Sequence, residues 1–275
     1  MYKVALLVIS FFLLSTLVCA QQQVAIVTYD VLPPFAFKDE QGQLTGVYIE
    51  VVKKAVSRMP NYRVKFTLLP WARAKSQVEK GEVFAILPPY FHAHDWLTKT
   101  KPQRPYIWPY SFALFTQHDV VICNEKALLQ PKLNYPQDYE GLKFVMWRGD
   151  GRAGEAFTNM VKDNKIELHF FNDMKSTIPS LISGRADCTV TSRVPFAWYV
   201  KQMKDSGEWK KYNENNIILK EAAVISSSQG YLGYSDVNSQ ENFPYKKDFT
   251  IKFDIEIFKM KRNGEIKTIV DQFVK

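Results

Sequence analysis

The sequence predicts an α/β protein built as two similar lobes joined by a hinge, and three observations carry that prediction. A strand-helix-strand-helix-strand pattern occurs twice, over about 24–89 and again over about 143–191, which is the signature of a parallel sheet with helices packed against it. The strands of the first unit end in turns rich in proline and aromatic residues, at Tyr29 to Phe35, Pro70-Trp71 and Pro88 to Phe91. A helical tail follows the second unit and is left to pack on the first, which demands two crossovers between the lobes.

The first strand is Val24 to Thr28, a short apolar run rich in β-branched residues. Leu32-Pro33-Pro34 removes two backbone donors and forces a turn. After the polar Asp39-Glu40-Gln41-Gly42 comes Gly46, then Val47, Val51, Val52, Ala55, Val56 and Met59, spaced so that most share one helix face. Arg63 to Leu69 is the second strand. Pro70 breaks it and starts a helix running to Lys80, which Gly81 stops. Val83 to Leu87 is the third strand. In a parallel sheet all three strands end on one edge, where an α/β fold places a ligand.

His92 to Pro109 has no clear period and reads as a loop and crossover, and Ser111 to Cys123 as one or two strands. The second unit has strands at Lys143 to Trp147, Glu167 to Phe171 and Cys188 to Thr191. Its helices lie at Glu155 to Asp163, Ser176 to Ser183 and about Pro195 to Met203, and a glycine-rich turn spans Arg148 to Gly154. Ala222 to Tyr234 reads as a returning strand. Phe249, Phe253, Ile257 and Met260 fall on one helix face, Asn263-Gly264 breaks that helix, and Glu265 to Val274 forms the last one.

Met1 to Ala20 has the features of a cleaved secretory signal: Lys3, the apolar run Val4 to Leu14, and Val18 and Ala20 at the −3 and −1 positions. As a membrane anchor the run is short of the ~20 residues a spanning helix needs, and a lipid-modified Cys19 lacks the usual small residue before it. Processing leaves 255 residues, enough for two modest domains, and takes the net charge from +8 to +7. The lysines and arginines are scattered. Together with export, this excludes nucleic acid as a partner.

With Leu32-Pro33-Pro34-Phe35-Ala36-Phe37, Leu44-Thr45-Gly46-Val47-Tyr48-Ile49-Glu50, Leu69-Pro70-Trp71-Ala72-Arg73-Ala74, Glu79-Lys80-Gly81-Glu82-Val83-Phe84-Ala85, Asp138-Tyr139-Glu140-Gly141-Leu142-Lys143 and Gly184-Arg185-Ala186-Asp187 in this order, the chain resembles the bacterial extracellular solute-binding proteins of family 3. These are the polar amino-acid type serving ATP-binding-cassette importers. The resemblance covers essentially the whole processed chain. It implies a two-lobed periplasmic-binding-protein-like fold of type II, each lobe a mostly parallel sheet flanked by helices, with a two-strand hinge. Lobe one is then about 24–110 plus 222–275, and lobe two about 111–221. It further implies a monomer in the periplasm, a small-molecule ligand, a membrane permease or receptor as partner, no cofactor and no catalysis.

Carried over residue by residue, the ligand platform comprises Tyr29 and Leu32, Trp71, and Pro88 with Tyr90; Arg73, one helical step on from Trp71, is a further candidate by its position. Lobe two supplies Trp147, Arg148, Gly149, Asp150 and Gly151, then Thr191, Ser192 and Arg193. Trp71 alone reads equally as a core aromatic, and Arg73 as a cleft cap. The departures from the family are informative. Members that bind α-amino acids place an arginine shortly after the third strand, where this chain has Tyr90-Phe91-His92-Ala93-His94-Asp95. They place an acid after the later lobe-two strand, where it has Thr191-Ser192-Arg193. The expected ligand therefore has a flat or apolar part and a carboxylate or other anionic group, met by Arg73, Arg148 and Arg193 against the single acid Asp150. The implied fold also sets Cys123 beside Cys188 at the end of lobe two away from the cleft, so a disulfide is expected, two buried free thiols being the alternative.

Other chemistry is weakly signalled. The turn Gly149 to Gly154 has anion-cradling character but no Gly-Lys-Ser/Thr follows it. His92 and His94 with Asp95 lack a further metal ligand and read as a solvated loop. A dehydratase on the same scaffold needs a general acid, for which only Asp150 and Glu155 stand near the cleft. A sensor subunit for a membrane receptor remains an equal use of the same fold.

Overall fold

The computed structural model describes residues 21–29, 33–89, 96–99 and 101–275. The expected signal segment, Leu32, Tyr90 and the His92–Asp95 passage lie outside the described residues. The first unit begins with β1 (Gln22–Tyr29), a small hairpin of β2 (Phe37–Lys38) and β3 (Leu44–Thr45), and helix α1 (Val47–Val56). Gly46, the residue before α1, has φ of +125°, and a Cβ there would fall on the Phe35 carbonyl, so only glycine permits this entry. β4 (Tyr62–Leu69), α2 (Trp71–Glu79) and β5 (Ala85–Leu87) complete the unit.

The next strand, β6 (Ile107–Tyr110), lies in the passage read above as loop. Its Pro109 removes a donor that an interior strand needs, and β6 accordingly sits at the sheet edge. β7 (Phe115–Asn124), β8 (Lys143–Trp147), α3 (Gly154–Lys162), β9 (Glu167–Phe171), α4 (Ile178–Ile182), β10 (Cys188–Ser192), α5 (Arg193–Asp205) and α6 (Glu208–Tyr212) follow. α4 is preceded by a 3-10 turn, Lys175–Thr177, in place of one continuous helix from Ser176.

The returning segment is two strands, β11 (Leu219–Gly230) and β12 (Gly233–Ser235), and α7 (Ser239–Asn242), α8 (Lys246–Arg262) and α9 (Glu265–Val274) end the chain. β11 pairs with β7 through Gly230, with register shifts after Glu221 and Val224, so position 222 falls inside a lobe-two strand and the second crossover lies at 231–232.

Each lobe has one five-stranded sheet. The orders are β4-β1-β5-β12-β6 and β11-β7-β10-β8-β9. Both contain a parallel trio, β4-β1-β5 in one and β10-β8-β9 in the other, and take antiparallel partners from the crossing strands. α1, α8 and α9 cover one face of the first sheet around Val24, Ile26 and Phe253; the other face packs Val27 and Ile86 against α2 and Trp96. Cys123 and Cys188 are opposed across β7 and β10 and joined by a disulfide.

The lobes also touch beyond their two crossovers. Val194, at the start of α5, packs into the first lobe's core, and Phe37 meets Trp198 of α5 at 5.8 Å between ring centroids. At Gly230 a Cβ would meet the buried Tyr48 ring, so the absence of a side chain lets that ring fill the hinge.

Candidate functional site

The two sheets present their carboxyl edges to the same crossovers. In the first lobe Tyr29 is opposite Leu69 and Thr28 opposite Leu87, so β1, β4 and β5 end together. The Tyr231 N–H donates to the Pro89 carbonyl at 3.2 Å, which ties that edge to the second crossover. In the second lobe Phe115 is opposite Gly230, so β7 and β11 meet at their crossover ends. Ser192 pairs with Asp119 toward that end, whereas Cys188 pairs with Cys123 away from it. β8 runs parallel to β10 and brings Trp147 to the same edge. A cleft floored by the crossovers and walled by the two edges follows from this pairing alone.

The first wall is aromatic. Tyr29 and Trp71 meet edge to face at 6.0 Å, Trp71 meets Trp96 at 6.0 Å, and Trp96 meets Tyr106 at 5.8 Å. Trp96 and Tyr106 are buried, while Tyr29 and Trp71 are half-exposed. Trp71 thus packs on the core through Trp96 while keeping part of its ring exposed. Pro88 is buried. Arg73 is exposed on α2 and has no ion-pair partner among the described residues.

The second wall is polar. Trp147 is half-buried, and its indole Nε1 is buried with no hydrogen-bond partner among the described residues. Arg148 is exposed and lies over the Phe170 ring at 5.8 Å. Gly149, with φ of +87°, turns the chain so that Asp150 points back into the protein beside exposed Gly151. Thr191 is buried, and its hydroxyl has no hydrogen-bond partner among the described residues. Arg193 is not free for a ligand: its Nε and Nη2 donate to the two Glu221 oxygens at 2.7 and 2.5 Å, and this bonding raises its pKa.

Sequence reasoning missed the centre of this wall. The Arg152 Nε donates to both Asp150 oxygens at 2.7 Å, and its Nη1 donates to Asp119 Oδ1 at 2.8 Å and to Ser192 Oγ. Ser192 and Ser226 flank Asp119 on the neighbouring strands and donate to its Oδ1 and Oδ2 at 2.7 and 2.8 Å. Gln117 Nε2 donates to Ser192 Oγ at 2.8 Å. One signal was available: Asp119 is the lone acid heading the apolar run Val120-Val121-Ile122, a position that calls for a partner. A concavity of about 680 Å³ lies elsewhere, between α5, α6 and the chain end, floored by Phe196, Val200 and Trp209. Its polar lining includes Lys201 and Asp205, which pair with each other at 2.6 Å, and Leu219 on it pairs with Asn124, at the end of the sheet away from the crossovers, so the paired walls are the better site.

Residues 24–275 match the family model described as bacterial extracellular solute-binding proteins, family 3. The chain is 22% identical over 237 residues to the L-cystine-binding protein TcyJ of Bacillus subtilis, covering 84% of this chain and 81% of that protein. It is 24% identical over 179 residues to a "Probable amino-acid ABC transporter-binding protein" of Haemophilus influenzae, covering 63% of this chain and 61% of that one's length. Among solved structures, it resembles substrate-binding domain 2 of Lactococcus lactis GlnP in its open conformation, with a TM-score of 0.66 and 13% identity over 92% of this chain and 96% of that one. It also resembles the unliganded, open L-cystine solute receptor of Neisseria gonorrhoeae, with a TM-score of 0.63 and 17% identity over 92% of each chain. These likenesses show a two-lobed periplasmic-binding fold of type II.

Proposed function

The chain belongs to the bacterial extracellular solute-binding proteins of family 3, and we propose that it captures a small polar solute in the periplasm and delivers it to an ATP-binding-cassette importer. The observation that carries this reading is the pair of facing strand edges, one aromatic and one hydrogen-bonding, across two crossovers. A solute touching both walls makes its full set of contacts only when the lobes are closed, so binding shifts the population toward the closed form. A permease that recognises that form then receives a loaded protein.

The solute in this proposal has a flat or apolar part for Tyr29 and Trp71 and a carboxylate for the polar wall. Catalysis is disfavoured by the state of its candidate acids. Asp150 commits both oxygens to Arg152, and Glu155 is exposed on α3. The test is a thermal-shift screen of the processed chain against a broad metabolite library. A ligand at a hundred times its Kd adds about 2.7 kcal/mol to stability, a readable rise in Tm. If no solute in the library raises Tm, the capture reading is wrong.

A further inference from the structure

Helix α8 buries Phe249, Phe253, Ile257 and Met260 on its inner face and carries a second apolar row on its outer face. Ile251, Ile255 and Phe258 are 54%, 47% and 53% exposed. Their four- and three-residue steps put them in line along the helix. The same steps reach Lys247 before them and Arg262 after them, both exposed. The five residues form one ridge, three apolar side chains between two cations about 22 Å apart along the axis. A row of this kind marks an interaction surface, unlike scattered apolar residues. We infer that the ridge docks on an anionic lipid surface; the inference goes beyond the solute-capture reading and does not depend on it.

The charges around the ridge select that occupant. α8 holds six basic residues against three acids, and each acid is engaged within the protein. Asp248 accepts from Tyr62 and Lys252, and Glu256 accepts from Lys259 with Arg58 3.7 Å away. Asp254 accepts the Phe112 N–H at 2.8 Å, which sets Phe112, itself 50% exposed, alongside the helix. Lys247 and Arg262 have no ion-pair partner among the described residues. The outer face of α8 therefore offers apolar surface and uncompensated positive charge together, the pairing that an anionic lipid boundary attracts.

A second copy of the chain does not fit. Antiparallel pairing of two ridges sets Ile251 against Phe258 but Lys247 against Arg262 at both ends, and parallel pairing sets each cation against itself; like charges repel in either case. A protein groove would have to hold both exposed cations in fixed places, at a cost in side-chain entropy. A fluid surface takes them without ordering them: the apolar row enters the headgroup boundary while the long side chains at its ends reach the headgroups. α8 covers a face of the first sheet and not its carboxyl edge, so this docking leaves the cleft free.

Co-sedimentation of the processed chain with vesicles tests this. The chain is expected to bind vesicles of equimolar phosphatidylglycerol and phosphatidylcholine, and to bind pure phosphatidylcholine roughly tenfold more weakly or less. Lys247→Gln/Arg262→Gln should weaken binding about 25-fold, at roughly fivefold for each basic residue near an anionic surface. Ile251→Ser/Ile255→Ser/Phe258→Ser keeps the charge and should weaken it roughly tenfold or more. An unchanged Tm checks that each variant folds, and if one does not, the other decides. Lys162→Gln/Lys165→Gln removes the same charge from exposed positions on lobe two and should change binding by less than about twofold. An equal loss in that control marks a general attraction of a basic chain and overturns the inference, as does binding untouched by the serine variant. No binding to phosphatidylglycerol overturns it and leaves the ridge to a protein partner. Self-association that the serine variant abolishes overturns it in favour of a second copy.

Discussion

The two walls of the cleft are built on the same parallel trio of strands, yet they hold their side chains by opposite means. On lobe one, Tyr29, Trp71, Trp96 and Tyr106 form a chain of edge-to-face rings, continuous with the core. On lobe two, Arg152, Asp119, Asp150, Ser192 and Ser226 form a hydrogen-bonded cluster with no ring in it. Ring packing tolerates small shifts and gives contact area without direction. A network of charged donors and acceptors fixes orientation but depends on every member.

The largest test of this contrast is to cut the disulfide, which closes a separation of 65 residues on the same strand pair that positions Ser192 opposite Asp119. The Cys123→Ser/Cys188→Ser variant is expected to lose about 4 kcal/mol on a chain-entropy account, within the usual 2–5 range. Denaturant melts should show it, and hydrogen exchange should place the loosening in β7 and β10 rather than β1 and β4. Equal loosening of both lobes would show that they fold as one unit and that the walls are not independent.

Next in size is Trp71→Ala, which removes a half-buried ring touching Tyr29 and Trp96. Given 3–5 kcal/mol for a fully buried tryptophan, about 2 kcal/mol is expected here, read as a lowered urea midpoint. Asp119→Ala should cost somewhat less, about 1–3 kcal/mol, by depriving Arg152, Ser192 and Ser226 of an acceptor. The contrast predicts that a double variant of Trp71 and Asp119 is additive, since the walls share no partner. Coupling above about 0.5 kcal/mol would break it.

The smallest effect belongs to Arg193→Ala. Its bond to Glu221 is partly exposed and screened, so stability should fall by less than about 1 kcal/mol, and by less still in high salt. A larger, salt-insensitive loss would mean that this pair belongs with the Arg152 cluster.

Local signals in the sequence sufficed for the repeated unit. β8 and β9 occupy Lys143–Trp147 and Glu167–Phe171, and α9 occupies Glu265–Val274, all as their apolar periods predict. Gly46 marks a helix entry because a backbone contact there excludes any Cβ, and the Phe249, Phe253, Ile257 and Met260 face of α8 is buried. These features depend on residues a few positions apart, whose side-chain period states which face meets the core. The ring pair of Tyr29 and Trp71 was legible for the same reason, since Tyr29 closes β1 and Trp71 opens α2 just after Pro70 ends β4.

Other features required the tertiary structure. β6 carries a proline and is a strand only because β12 arrives beside it. The stretch read as one strand from Ala222 to Tyr234 divides because the chain changes sheets between Gly230 and Gly233. Arg193 looked available until β11 set Glu221 beside it. Arg152 lies far along the chain from Asp119 and Ser226, and nothing local joins them. Strand order and register bring their side chains within 3 Å, and those are properties of pairings between distant segments. Periodicity names the face of each strand, while only the assembled sheet decides which charges on that face meet.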